Sequence, residues 1–277
     1  MAPHPVTKIV ARCFALLVAG FLVIPTLIVI PMAFSSGQFL QFPPPGWSFI
    51  WFQKFFQDDE WTSAITRSVG VSLAAAAIAV PIGTLAAYAV VTARRRTTKV
   101  IEPFLMSPSM VPVVISGFGL YLATLVFGVG QNLWVVTLAH AGLAVPFVLL
   151  TVVAALRTFD FRLVRAARVH GANPHQAFFR VVVPVIGPAI GAATIIAIMT
   201  SLDESVVALF LVGDTQPTLP VKMYTSITYE LNPLVPVAAT VLTVASVALM
   251  AIAAQLFRIS RRRGLAGSPV PFDEVLA

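Results

Sequence analysis

The sequence predicts an all-α polytopic membrane protein with six transmembrane helices and a helical loop on the cytoplasmic side. Three observations carry this prediction: 58% of the 277 residues are hydrophobic and only 10% are charged, long uncharged runs recur, and the basic residues lie in short clusters between those runs. A soluble domain carries about 25% charged residues. The mean hydropathy of +0.92 also lies far from that of a soluble chain. An ordinary soluble protein is therefore excluded.

Six apolar runs are long enough to cross a bilayer, whose hydrocarbon core of about 30 Å needs roughly 20 helical residues. They cover residues 13–34, 69–91, 104–127, 133–156, 181–201 and 233–257. Only a short turn at residues 128–132 separates the third run from the fourth. The first run is longer than the core of a secretory signal and no small-residue cleavage pattern follows it, so we expect a retained span.

The distribution of Lys and Arg predicts which side of the membrane each loop faces. All but three of the 18 basic residues lie before the first run or after the second, fourth and sixth, and the exceptions are Lys54, Arg67 and Lys222. Short cytoplasmic loops carry the excess of basic residues. Both termini and the segment 157–180 are therefore expected in the cytoplasm. We attribute the net charge of +7 to the cytoplasmic face of a membrane protein and not to a nucleic-acid-binding surface.

The predicted outer segment 35–61 is rich in proline and aromatic residues. A stiff turn at residues 43–45 precedes an amphipathic stretch that contains Trp51 and Trp61. Aromatic side chains are enriched at both membrane surfaces, so an interfacial belt is the simpler interpretation. A surface that binds a partner is the alternative.

The segment 157–180 is more specific than a connector needs to be. Residues 161–170 are compatible with a short helix, and Gly171 suits a left-handed helix stop. Asn173 can then cap a second helix that has Pro174 at its first position. The sequence therefore predicts two short helices with a break, held between two spans. Such an element is suited to docking a cytoplasmic partner.

This segment resembles the signature of the membrane permease subunits of type I ABC importers, which runs Glu-Ala-Ala, three residues, Gly, nine residues, Ile, one residue, Leu, Pro. The matching positions are Ala166, Ala167, Gly171, Val181, Val183 and Pro184. Position 165 departs from the signature because it holds Arg instead of Glu, so an ion pair made by that Glu must be absent or reversed here. The resemblance implies that the ATPase-coupling residues are Arg165, Ala166, Ala167, Gly171, Ala172, Pro174, Gln176 and Pro184.

The C-terminal part of the chain is similar to the permeases of spermidine/putrescine importers. The similarity is carried by residues 201–213, 218–224 and 232–240. It implies a polyamine or related cationic solute, although those permeases often have an acid just after a proline early in the third span, where this chain has Val113 after Pro112. Related permeases carry opines, aminophosphonates or ferric iron, and these solutes are the alternative.

The resemblance also implies an assembly and a location. We expect residues 1–277 to form one permease domain in the inner membrane of a bacterium, paired with a second permease subunit in a heterodimer. Two ATPase subunits would bind ATP and Mg, and an extracytoplasmic solute-binding protein would deliver the solute. The lipid bilayer is the remaining partner, and no nucleic acid is expected. No cofactor is expected in this chain itself.

The candidate residues of the translocation path follow the fifth apolar run, and they are Ser201, Asp203 and Glu204. Carboxylates near membrane depth are costly and usually face a cavity or a partner. The alternative is that the span ends at Ser201 and both acids are hydrated at the outer rim. His140 lies inside the fourth run, and we expect it to be neutral and hydrogen-bonded to a neighbouring helix.

No motif of an enzyme is present. The sequence has no Walker loop and no nucleophile elbow, so we expect no catalytic residue. Cys13 is the only cysteine, and His170 and His175 are separated by a Gly-Ala-Asn-Pro break, so no metal site is expected. A secondary transporter or channel acting alone, or a membrane anchor, is a competing class. Neither needs the segment 157–180, and no clear inverted repeat supports the transporter.

Overall fold

The computed structural model describes residues 5–93, 95–212, 216–230 and 232–265. The described chain is helical, with an isolated β-bridge between Ser35 and Trp47. Its helices are α1 (Pro5–Ala33), α2 (Ile50–Gln57), α3 (Asp59–Thr92), α4 (Arg95–Met110), α5 (Val113–Phe127), α6 (Leu133–Leu156), α7 (Arg162–Val169), α8 (Pro174–Ala177), α9 (Val183–Asp203), α10 (Val206–Val212), α11 (Leu219–Tyr229) and α12 (Leu234–Leu265). A π-helical turn, Phe178–Val182, joins α8 to α9.

Among the described residues, five continuous helical segments are long and apolar enough to cross a membrane, and a bent helix pair supplies a sixth crossing if it is counted as one span. The five are Cys13–Ala33, Asp59–Thr92, Leu133–Leu156, Pro174–Asp203 and Leu234–Ile259. The all-α membrane fold is therefore confirmed. The predicted start of the fifth span at residue 181 is wrong, because the helical segment already begins at Pro174 and continues through the π-helical turn.

The predicted third span, 104–127, is not one continuous helix. It lies in the bent pair, in which Thr98–Met110 and Val113–Phe127 meet at an angle of 96°. Pro112 cannot donate a backbone hydrogen bond, and a proline disfavours helical geometry at the residue before it, here Val111. Accordingly α4 ends at Met110 and α5 begins after Pro112, whose ψ of 129° is extended.

By their contacts the residues group into two compact units, the first of which comprises residues 1–63 and 222–245. In this unit α1 exposes large apolar side chains, among them Phe14, Leu17 and Phe21. The segment after α1 is folded around aromatic rings: the indole N–H of Trp51 donates to the carbonyl of Gly37 at 2.9 Å. The predicted outer segment is therefore an ordered aromatic element and not an extended connector.

The second unit comprises residues 64–221 and 246–277 and contains the antiparallel pair α6 and α9. Small buried residues of α9, Ala189, Ala193 and Ala197, let the two helices approach closely, which is the usual basis of helix packing in a membrane. At Gly83 of α3 a Cβ would lie only 2.6 Å from a methyl group of Val148 on α6. The pair α6 and α9 is thus the packed centre of this unit.

A second, smaller apolar cluster lies in the same unit. Its buried members are Val71, Val136, Val207, Ala208, Leu211, Val212 and Val221. Helix α10 packs against α5 and α6 in this region. The approach of α10 to α5 requires Gly117, because a Cβ there would lie 2.8 Å from the ring of Phe210. The broken helix α4–α5 and the short helix α10 are therefore held against each other.

Candidate functional site

The first candidate site is the segment of residues 157–177, hereafter the 157–177 loop, which follows α6 and includes the first turn of the fifth helical segment, α8. Helix α7 begins after Asp160, whose Oδ1 accepts the backbone N–H of Arg162 at 2.9 Å. The Nε–H of Arg162 donates to the two carboxylate oxygens of Asp160 at 3.1 and 3.0 Å. The hydrogen bond from the Arg162 side chain holds the pKa of the half-buried Asp160 below its usual value. The start of α7 is thus stabilised by hydrogen bonds between Asp160 and Arg162, which are close in the sequence.

The end of α7 has the geometry that the sequence predicts. Gly171 has a left-handed φ of 87°. The N–H of Gly171 donates to the carbonyl of Arg168, and the N–H of Ala172 donates to the carbonyl of Ala167, both at 3.0 Å. These two bonds form a Schellman motif, which ends helices on a left-handed residue. The prediction of a helix stop at Gly171 is confirmed.

The second short helix also begins as predicted. The side chain of Asn173 accepts the N–H of Gln176 at 2.8 Å, and the side chain of Gln176 accepts the N–H of Asn173 at 3.0 Å. This pair is a capping box with Pro174 at the start of the helix. Gln176, which the sequence nominates for ATPase coupling, therefore has an internal role in shaping the loop.

The 157–177 loop is anchored by a few buried residues and exposes the rest. Phe159, Ala177 and Phe178 are buried, and the ring of Phe178 lies 4.9 Å from that of Tyr88 on α3. Helix α7 has no buried residue, and Val169 is 86% exposed. Of the nominated residues, Ala167 and Ala172 are half-buried, and the others are exposed: Arg165, Ala166, Gly171, Pro174, Gln176 and Pro184. A rigid loop that leaves apolar and basic side chains uncovered is suited to a protein partner.

The signature residues at the end of the motif lie inside the fifth span. Val181 belongs to the π-helical turn, and Val183 and Pro184 open α9. Pro184 has no N–H to donate, so the preceding turn cannot be closed by a regular α-helical bond at that position. Short π-helical segments are rare in proteins, and those that do occur often lie at functional sites.

The second candidate site lies at the opposite end of α9, which at 21 residues is about 30 Å long. Ser201 is buried, and its Oγ lies 2.8 Å from Nδ1 of His140 on α6, which is 1% exposed. The prediction that His140 is hydrogen-bonded to a neighbouring helix is confirmed. The Nε2 of His140 lies 3.4 Å from Oε2 of Glu204 but outside hydrogen-bond geometry.

The carboxylate of Glu204 accepts hydrogen bonds from the backbone of the residues that follow it. Its Oε1 accepts the N–H groups of Val206 and Val207 at 3.1 Å, and its Oε2 accepts those of Val207 at 2.9 Å and Ala208 at 3.2 Å. Glu204 therefore caps α10 while it faces His140. Its oxygens are occupied by the chain itself, which makes direct contact with a solute the less favoured use of this residue.

Asp203 has different surroundings, although it adjoins Glu204 in the sequence. It is exposed and faces a cavity of about 410 Å³. Apolar residues form most of the wall, which consists of Phe147, Ile196, Met199, Thr200, Met250, Ala253, Ala254 and Phe257. Helix α9 ends at Asp203 and the backbone becomes extended at Glu204, with ψ of 111°, so the two side chains diverge. Within the described residues Asp203 has no ion-pair partner.

The nominated residues thus form two groups at the two ends of one helix. Sequence reasoning missed the association of His140 with Ser201 and Glu204, which lie on other elements far along the chain. A histidine inside an apolar run is the one sequence signal that could have indicated it. Among the described residues no group of three or more His, Cys, Asp or Glu side chains could hold a metal ion.

Several helices long enough to cross a membrane, an ordered exposed loop and the Asp203 carboxylate in a cavity are features expected of a membrane transport subunit. The chain belongs to the family described as "Binding-protein-dependent transport system inner membrane component", which matches residues 79–263. It is a multi-pass permease subunit of an ABC importer in the inner membrane.

Named relatives agree with this assignment. The chain is 28% identical over 254 residues to the spermidine/putrescine transport system permease protein PotC of Escherichia coli (strain K12), covering 92% of this chain and 96% of PotC. It is 30% identical over 229 residues to the putrescine transport system permease protein PotI of the same organism, covering 80% and 81%.

Solved structures share the fold. A bacterial ABC transporter involved in the import of the acidic polysaccharide alginate matches with a TM-score of 0.66 at 17% identity, covering 94% of this chain and 99% of that chain. A second structure of a bacterial alginate ABC transporter, in complex with an alginate-bound periplasmic protein, matches with a TM-score of 0.65 at 15% identity, covering 95% and 96%.

Proposed function

We propose that this permease subunit imports a polyamine such as putrescine or spermidine, and that Asp203 binds an ammonium group of the solute. The observation that carries the proposal is the Asp203 carboxylate, which faces a largely apolar cavity and has no ion-pair partner within the described residues. A carboxylate beside an apolar wall attracts an ammonium group more strongly than one surrounded by bulk water on all sides. The names of the relatives PotC and PotI support a cationic solute.

The walls of the cavity favour the same class of solute. A polyamine combines ammonium groups with methylene segments, and Phe147 and Phe257 offer aromatic and apolar surface near Asp203. Aromatic faces attract ammonium cations. Opines and aminophosphonates carry anionic groups that a lone carboxylate would repel, so they fit this cavity less well.

The proposed mechanism uses the two ends of α9. The 157–177 loop lies in the cytoplasm and docks on one of two ATPase subunits, which bind ATP and Mg. A second permease subunit completes the path, and an extracytoplasmic binding protein delivers the solute. ATP favours the closed ATPase pair, and its differential affinity for that state supplies the bias for movement. The Schellman motif, the capping box and the buried Phe178 make the loop stiff enough to pass that movement to α6 and α9.

The roles proposed for the loop residues follow from their exposure and from the capping box. The exposed Arg165, Ala166 and Gly171 would contact the ATPase. The half-buried Ala167 and Ala172 would hold the loop in shape, together with Pro174 and Gln176, which are exposed but belong to the capping box. Pro184 would set the start of α9. We include Ser201 and Glu204 as residues that position the path rather than contact the solute. In this proposal residues 1–277 act as one permease domain with both termini in the cytoplasm.

Concentration-dependent uptake of radiolabelled putrescine tests the proposal in cells that carry the complete transport system. Asp203→Asn removes a charged hydrogen bond worth about 1.5–3 kcal/mol, so KM should rise roughly 10- to 150-fold. Glu204→Gln should lower the maximal rate with little change in KM, because Glu204 does not contact the solute. Glu230→Gln, which removes a negative charge from an exposed turn, is the matched control and should leave KM unchanged.

The outcome separates the alternatives. An unchanged KM in Asp203→Asn, with normal amounts of protein in the membrane, would show that Asp203 does not bind the solute. Failure of the parental system to take up putrescine or spermidine would refute the polyamine assignment.

A further inference from the structure

The buried polar group formed by His140, Ser201 and Glu204 lies between two apolar clusters of the second unit. On α6, His140 comes one turn after Val136, which belongs to the smaller cluster, and one turn before Ala144, which belongs to the larger one. Ser201 continues the group on α9, and Glu204 connects it to α10. Three helices therefore meet at the imidazole of His140.

The protonation of His140 follows from its two neighbours. Nε2 faces the carboxylate of Glu204, so we assign the ring proton to Nε2, since a lone pair directed at a carboxylate would be repelled. Nδ1 then accepts the hydroxyl proton of Ser201 at 2.8 Å. With this assignment a neutral imidazole accepts the Ser201 hydroxyl at Nδ1 and directs its N–H at Glu204. No further charge is then placed at membrane depth.

The contact on the Nε2 side is incomplete. Nε2 is buried and has no hydrogen-bond partner, although Oε2 of Glu204 is only 3.4 Å away. A buried donor without a partner is costly, so a small shift that completes this bond is favourable. Because Glu204 also caps α10, such a shift moves α10 relative to α6.

Helix α10 can pass this movement to the rest of the unit. Its Phe210 carbonyl accepts the Nε2–H of Gln131 at 3.2 Å, and its side chains press against Gly117 of α5. Asp203, which faces the cavity, directly precedes Glu204. A change at the His140–Glu204 contact therefore reaches both the broken helix α4–α5 and the proposed solute site.

We propose that His140 is a positioning residue that ties α10 to the α6–α9 pair, and that its Nε2 contact with Glu204 couples movement of the 157–177 loop to the solute site. This inference rests on the proposed function, since it requires ATP-driven movement of the loop. His140 itself does not touch the solute. Loss of the contact should therefore uncouple ATP hydrolysis from uptake while leaving the complex assembled.

Two substitutions distinguish the contributions of the two imidazole nitrogens. The amide of Gln reaches the place of Nε2, and the shorter amide of Asn reaches the place of Nδ1. His140→Gln keeps the contact with Glu204 and should stay coupled, whereas His140→Asn keeps only the contact with Ser201. Thr137→Val is the matched control: Thr137 is buried one turn earlier on α6, and its hydroxyl donates only within that helix, to Leu133.

The measurement uses the full complex in proteoliposomes, with both permease subunits, the ATPases and the binding protein. Two quantities are compared: putrescine imported per ATP hydrolysed, and the ratio of ATP hydrolysis with and without the solute-loaded binding protein. Coupling between sites typically amounts to about 5- to 150-fold, and we expect a drop of about tenfold in both quantities for His140→Asn. His140→Gln and Thr137→Val should remain within about twofold of the parent, below that range.

Equal coupling in His140→Asn and the parent would overturn the proposal, and so would an equal loss in the Asn and Gln variants. If His140→Asn does not assemble, Glu204→Gln, which weakens the same contact from the other side, decides the question: retention of full coupling there also overturns the proposal. If the parental complex does not import putrescine, both quantities are measured with spermidine. A parental complex that imports neither contradicts the proposed solute and not the coupling, which the ratio of ATP hydrolysis with and without the binding protein still tests.

Discussion

Substitutions at Gly171 can separate the conformation of the 157–177 loop from its contact with a partner. Gly171 has a φ of 87°, and a Cβ built there meets nothing within 4 Å of the chain. The internal cost of a side chain is therefore conformational and not steric. For an alanine it amounts to about 1–2 kcal/mol, which is about 5- to 30-fold in an equilibrium such as binding.

The expected order follows from this cost. Gly171→Asn should be the mildest change, because asparagine tolerates the left-handed region. Gly171→Ala should weaken attachment of the ATPase by the factor above. Gly171→Pro should be the most severe, because its ring fixes φ near −65° and it loses the N–H that donates to Arg168. Gly171→Trp costs the loop about as much as alanine, so any further loss in Trp reports a partner surface packed against Gly171.

The assay is co-purification of the ATPase subunits with the permease at several salt and detergent concentrations, followed by ATP-driven uptake. The amount of permease in the membrane is measured in parallel for every variant. Full ATPase retention and uptake in Gly171→Pro would refute the reasoning that this loop is the coupling element. Identical behaviour of the Trp and Ala variants would place Gly171 outside the docking surface.

Two further predictions concern packing and topology. Gly83→Ala should lower the stability of the purified protein by about 1–3 kcal/mol, because its Cβ would lie 2.6 Å from Val148, and adding Val148→Ala should restore it. Gly70→Ala, whose Cβ meets nothing within 4 Å, is the control in the same thermal unfolding measurement. In a background with the exposed Cys13 changed to alanine, Gly37→Cys should react with an impermeant maleimide from outside intact cells, and Thr97→Cys and Ala172→Cys should not. Labelling of Ala172→Cys from outside would contradict the predicted orientation. Thr215→Cys tests the same orientation at a position outside the described residues.

Local sequence was sufficient for the existence of the helical spans, though not for the bend in the third or for every helix start, and it was sufficient for the short helices of the 157–177 loop. An apolar run in a bilayer must satisfy every backbone group internally, so length and composition alone predict a helix. The boundaries of α6 agree with the predicted run 133–156 for this reason. The loop was predictable because its signals act over a few residues: Gly171 ends α7, and Asn173 with Gln176 starts α8.

The prolines show that residue type alone does not predict where a membrane helix breaks. Pro25, Pro81 and Pro146 lie inside continuous helices, whereas the helix breaks at Pro112. All four lack an N–H, so the residue type alone does not decide between a continuous helix and a 96° bend. The bend at Pro112 is stabilised by the packing of α5 against α10 through Gly117, which the sequence does not reveal.

The sequence by itself determined that this chain crosses the membrane and carries the family's loop, because hydrophobic length and short-range capping are local properties. Only the tertiary structure decided how the polar residues are used. His140 and Glu204 lie 64 positions apart, and they meet only because α6 and α9 pack side by side. Asp203 and Glu204 adjoin in the chain, yet one faces a cavity and the other caps α10, because α9 ends between them. A carboxylate acquires its role from what surrounds it, and in a helical membrane protein those surroundings come from distant parts of the chain.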